Sequence, residues 1–135
     1  MDPTLRTVLG VLMRWVHIMS VIVLIGSAYY VRRTRSTFSP AFRSTIYLGV
    51  AAAFLSGLYN FLTKASYPPH YHMWFGIKFL LALHVLAALV LAARREVASE
   101  KLQRTLRILL ISATAVILIS NYLRWISLSP VVKLP

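Results

Sequence analysis

Four long apolar runs dominate the chain, at about residues 5–31, 42–63, 73–93 and 102–126. Each is roughly 20 residues or longer, enough for a helix rising 1.5 Å per residue to cross a ~30 Å hydrocarbon core. Short polar links join them: RRTRSTFSP, KASYPPHYH and RREVASEK. Links this short force consecutive helices to run antiparallel. The pattern predicts one all-α domain over residues 1–135, an integral membrane up-down-up-down four-helix bundle. Pro40, Pro68 and Pro69 fall in the links, where proline breaks no helix.

Within the runs, small and polar positions repeat at helical spacing. On the first helix, Arg6, Gly10, Met13, His17, Ser20 and Ser27 share one side. On the second, Thr45, Gly49, Ala52, Ala53, Ser56, Asn60 and Thr63 form a stripe. On the fourth, Arg107, Thr114 and Asn121 recur every seven residues. These stripes are expected to mark the bundle interior. Small residues let helices approach closely, within one chain or between chains, so an oligomer is compatible with faces such as Gly49 to Ala53.

Composition agrees with a lipid bilayer as solvent. The 135 residues are 59% hydrophobic and 13% charged, with a mean hydropathy of +0.71. A soluble core of this size cannot hide that much apolar sequence. The net charge of +12 raises nucleic acid as a partner. However, the basic residues sit at the ends of apolar runs, which points to topology and anionic head groups, with no nucleic acid. Arg32, Arg33, Arg35 and Arg43 flank the first link, and Arg94, Arg95, Lys101, Arg104 and Arg107 flank the third. The opposite side has Arg6, Lys64 and Lys133, with Arg14, Lys78 and Arg124 inside helices or at their ends. The positive-inside rule then predicts both termini and the PPHYHMW loop outside. The start, MDPTLRTVLG, lacks the features of a removable signal peptide.

Two absences limit the chemistry. The chain has no cysteine, which excludes disulfides, thiolate metal sites and iron–sulfur clusters. Its carboxylates are Asp2, Glu96 and Glu100, all outside the predicted spans. Paired-carboxylate hydrolysis, a Ser-His-Asp device, intramembrane acidic proton relays and acidic cation channels therefore have no support.

The ionisable residues within the spans need a reason, because burial in hydrocarbon is costly. His17 lies fifteen residues from Arg32, about 22 Å, and Lys78 sixteen from Arg94, about 24 Å. His84 lies ten from Arg94, about 15 Å, so it is deeper than His17. Imidazoles from facing helices can hold haem iron, and Arg14, Lys78 and Arg124 suit propionates. Plainer readings stand beside this one: a buried His84 bonded to Ser or backbone, and an interfacial His17 beside a snorkelling Arg14. Copper is an alternative, with His70 and His72 joined by His17 and by Met13, Met19 and Met73.

The stretch HIMSVIVLIGSAYYVRR resembles the first helix of four-helix bacterial protoporphyrinogen IX oxidases, at His17, Ser20, Val21, Ile22, Ser27, Tyr30 and Arg33. Trp74 and Lys78 resemble the Trp and Lys near the start of that family's third helix. The copper-resistance protein D family has a similar bundle and a similar third helix. The oxidase resemblance implies haem b, an axial role for His17, a functional role for Lys78 and a bacterial inner membrane. It also implies removal of six electrons and six protons from a porphyrin substrate, with quinone as acceptor. That family's fourth helix carries an Asn-Glu pair, whereas this one has Asn121 and no acid near it. The family's late third-helix histidine is displaced here, with His84 its nearest counterpart. For the second axial ligand, chemistry favours His84, while depth and resemblance favour Lys78. A non-catalytic membrane accessory protein is the remaining alternative.

Overall fold

The structure is a computed structural model that describes residues 2–64 and 66–128. Lys133 lies outside the described residues. Four helices form: α1 (Pro3–Thr34), α2 (Pro40–Leu62), α3 (Tyr71–Ala93) and α4 (Glu100–Leu128). All four are long and apolar enough to cross a membrane. The predicted four-helix membrane architecture is observed.

Each helix starts two residues before its predicted run, and capping explains why at three of the N-termini. The Asp2 side chain accepts from the Thr4 amide, and Pro3 opens α1. Ser39 accepts from the Phe42 amide, so Pro40 is the first residue of α2 rather than part of the link. A proline there loses nothing, since its missing N–H would be unpaired anyway. The Ser99 hydroxyl accepts from the Leu102 amide at the start of α4. At the far end of α1, Arg35 adopts a left-handed conformation at φ 50° and stops the helix.

The α1–α2 and α3–α4 hairpins pack most extensively, and the two hairpins meet through smaller α1–α4 and α2–α3 seams. Buried positions follow a three-four spacing on every helix. Examples are Leu24, Ala28 and Val31 on α1, Ile46, Gly49, Ala53 and Ser56 on α2, and Val85, Leu89 and Ala92 on α3. This is the spacing of positions that face a neighbouring helix along its length. Gly49 has a particular reason to be glycine, because a Cβ there would stand 3.0 Å from Leu24 Cδ2.

On α4 the buried seam is Leu102, Leu106, Leu109 and Ala113, so the expected interior stripe is wrong there. Arg107, Thr114 and Asn121 are exposed. They sit one position, about 100° of rotation, beyond that leucine seam. Thr114 needs no interior partner, since its hydroxyl donates to the Leu110 carbonyl at 2.9 Å within its own helix.

The packed core gathers in the half of the bundle nearer the first and third links, which is also the arginine-rich end. Beyond Ala53 and Val85 the inward positions become small or polar, at His17, Gly57, Asn60, Lys78 and Ala82. Small side chains leave space and polar ones resist dry packing, so a cavity opens in this half.

Candidate functional site

The cavity measures about 480 Å³ and is bordered by all four helices. Most of its wall is apolar. Arg14, His17, Asn60 and Lys78 supply the strongest polar groups. His17 and Lys78, which residue counting sets at about the same level, both face this cavity.

His17 is the best-defined polar group at the site. Its Nδ1 lies 2.9 Å from the carbonyl oxygen of Ala53 and 3.2 Å from Ser56 Oγ. A carbonyl can only accept, so Nδ1 carries the hydrogen and donates. In the neutral ring Nε2 then holds the free lone pair. The buried Ser56 hydroxyl donates in turn to the backbone of its own helix, at Ala52 and Ala53. Gly57 makes room for the ring, because a Cβ there would lie 3.0 Å from His17 Cε1 and 3.3 Å from Nδ1. Ala53, Ser56 and Gly57, within little more than one turn of α2, thus support the imidazole from one side.

The cations have no such support. The Lys78 ammonium lies 6.0 Å from the centre of the Phe75 ring, and no carboxylate approaches it among the described residues. Arg14 also has no acidic partner there. The ion pair between described residues is Arg35–Glu100 at 3.9 Å, exposed at the arginine-rich end. Two cations thus border an apolar space in a chain whose acids all lie elsewhere, which favours an anionic ligand.

An aromatic wall lines the α2–α3 side toward the outer rim. Phe61 and Phe75 stack with ring centres 3.9 Å apart and planes 13° from parallel. Tyr71 and Phe79 continue the stack from Phe75, each at 6.1 Å. Lys64 lies over the Tyr71 ring at 5.1 Å, toward the outer rim. Sequence reading missed this wall. Its signal was present as Tyr71, Phe75 and Phe79 at four-residue spacing, with Phe54 and Phe61 seven apart.

Other expected site residues do not join the cavity. His84 is exposed and absent from the cavity wall. The wall residues of α3 run Lys78, Ala82, Val85 and Leu89, and position 84 falls 100–200° off that line. Arg124 is exposed and lies beyond the α4 wall residues Ala113, Val116 and Ile117. The copper set does not assemble: among the described residues, no three of His, Cys, Asp or Glu come together around a metal position. The His72 ring packs on Tyr67 at 4.8 Å, and His70 starts α3 in a left-handed conformation at φ 61°.

No protein-family model, curated protein or solved structure matches the chain.

Proposed function

We propose that this chain is a haem b-binding integral membrane redox protein, with His17 as an axial ligand through Nε2. The observation that carries this reading is the tether of His17 Nδ1 to the Ala53 carbonyl, beside a cavity of about 480 Å³. Metal-ligating histidines characteristically donate their other ring N–H to a carbonyl or carboxylate, which fixes the tautomer and aims the lone pair. The cavity volume falls in the range of cofactor sites.

The remaining wall fits the same group. Phe61, Phe75 and Phe79 offer flat apolar faces to a macrocycle and keep water away. Arg14 and Lys78 are positioned to pair with propionates. Of the two candidates for the second axial position, Lys78 shares the cavity with His17 and His84 does not; iron is bound only by the neutral amine, so in that role Lys78 leaves the propionates to Arg14. When bound, haem supplies one-electron chemistry at its iron. His17 would hold and orient it, and the cations would balance its carboxylates.

Electron transfer, or oxidation of a tetrapyrrole such as protoporphyrinogen IX with quinone as acceptor, is the activity that follows from the first-helix and third-helix resemblance. A bacterial inner membrane follows from it as well. The asymmetry of basic residues supports a cytoplasmic arginine-rich end, with the cavity then in the outer half of the bilayer.

An absorption spectrum of protein purified after expression with haem supplied tests the reading. A Soret band that shifts on dithionite reduction is expected. A colourless, folded protein would overturn it.

A further inference from the structure

We infer that the α2–α3 seam is a side opening through which a membrane amphiphile seats its hydrocarbon chain, with its anionic head reaching Lys78. The inference goes beyond the haem reading and rests only on the cavity being a ligand site. A second, almost wholly apolar hollow of about 440 Å³ lies on the outer side of this seam. Phe54, Leu83 and Leu86 border both this hollow and the main cavity, so one wall separates or joins the two spaces.

Packing explains why the seam opens here. α2 and α3 meet far less extensively than the helices within each hairpin. Toward the outer rim the seam is zipped by the Phe61–Phe75 stack at 3.9 Å. Nearer the middle only the tilted Phe54–Phe79 pair bridges the seam, with ring centres 6.5 Å apart, and Phe54 and Leu83 are 37% and 38% exposed.

Depth and charge identify the occupant. Leu86 is eight residues from Arg94, about 12 Å along the helix, so the opening faces hydrocarbon rather than head groups. Only an apolar chain is at home there. Lys78 lies eight residues further toward the other end, again about 12 Å, and has no carboxylate partner. A single-chain carboxylate satisfies both ends: its head neutralises the ammonium, and its tail runs out past Phe54 over Ala87 and Val90.

The test uses purified full-length protein in nanodiscs and a photoreactive long-chain fatty acid, with its methyl ester as the second arm. After irradiation, labelled positions are mapped by mass spectrometry. Labelling is expected to concentrate on the segments around Val50–Phe54 and Leu83–Leu91, with the acid favoured over the ester. Ala87→Trp, an exposed position in the hollow, should cut that labelling several-fold while leaving labelling of Leu12 and Trp15 unchanged. Lys78→Gln should reduce the preference for the acid by roughly tenfold, the loss of one charge-assisted bond. Even labelling around all four helices, unaffected by Ala87→Trp, means bulk lipid contact only and overturns the inference. Equal labelling by acid and ester in the unmodified protein overturns it too. Haem and the carboxylate would compete for Lys78, so labelling is done before haem is added and the Soret band is read on a separate sample: a protein that labels as expected and never takes up haem removes the haem reading alone, and a protein that takes up haem but labels evenly without it removes this one alone.

Discussion

His17 Nδ1 on α1 stands 2.9 Å from the carbonyl oxygen of Ala53 on α2. This carbonyl is also within 3.3 Å of the Ser56 hydroxyl. The contact converts a mobile ring into a fixed one and selects which nitrogen keeps its lone pair. It also explains how an imidazole persists within an apolar span, since its polar edge is satisfied by the neighbouring helix.

Replacing His17 by Ala is therefore expected to abolish the Soret band of the purified protein. Adding imidazole to a His17→Gly variant should restore a haem spectrum, because the space and the supporting groups on α2 remain. A spectrum fully retained in His17→Ala would remove His17 as a ligand.

Gly57→Ala separates stability from site geometry. Alanine is favoured over glycine in a helix by ~1 kcal/mol. The added Cβ would stand 3.0 Å from His17 Cε1, closer than the ring can accept without shifting by a few tenths of an ångström. The ring cannot shift freely while it donates to Ala53. The expected outcome is unchanged or slightly higher thermal stability without haem, together with weaker haem binding and an altered Soret position. Calorimetry and haem titration on the same sample check the two halves.

Lys78→Met should also act in opposite directions. The ammonium borders an apolar cavity with no acidic partner among the described residues. Removing an uncompensated charge should raise the melting temperature of haem-free protein by a few degrees. The same change should weaken haem binding by roughly tenfold to a hundredfold, the scale of one lost bond to a charged group. If Lys78→Met lowers both stability and binding, Lys78 is structural instead.

The spans and their antiparallel order were legible because helix rise and bilayer thickness are nearly invariant. The interior of α4 was not legible. Arg107, Thr114 and Asn121 keep a seven-residue period, but a threonine satisfied by its own helix can face outward as readily as inward. The partner of His17 was out of reach for another reason. Ala53 offers a backbone carbonyl, and no side-chain pattern marks which carbonyl a neighbouring helix will use. Ser56 and Gly57 stood within the small-residue composition of α2, where packing alone explains such residues equally well.

His84→Gln provides the contrasting control. His84 is exposed and shares no wall with His17. Its replacement should leave the Soret position, its amplitude and the reduced spectrum as they are in the unmodified protein. A loss comparable to that of His17→Ala would require α3 to rotate by at least one residue, about 100°, in the haem-bound protein.

Sidedness is open to direct measurement because the chain has no cysteine. Single cysteines at Ser66, in the α2–α3 link, and at Glu96, in the α3–α4 link, occupy exposed positions at opposite ends of the bundle. The orientation proposed from the excess of arginine around the first and third links has Glu96 facing the cytoplasm. In intact spheroplasts a membrane-impermeant maleimide should label Ser66→Cys and spare Glu96→Cys, and lysis should make both reactive. The reverse pattern would turn the bundle over. The cavity with His17 and Lys78 would then lie in the cytoplasmic half, and its anionic ligand would be supplied from that side.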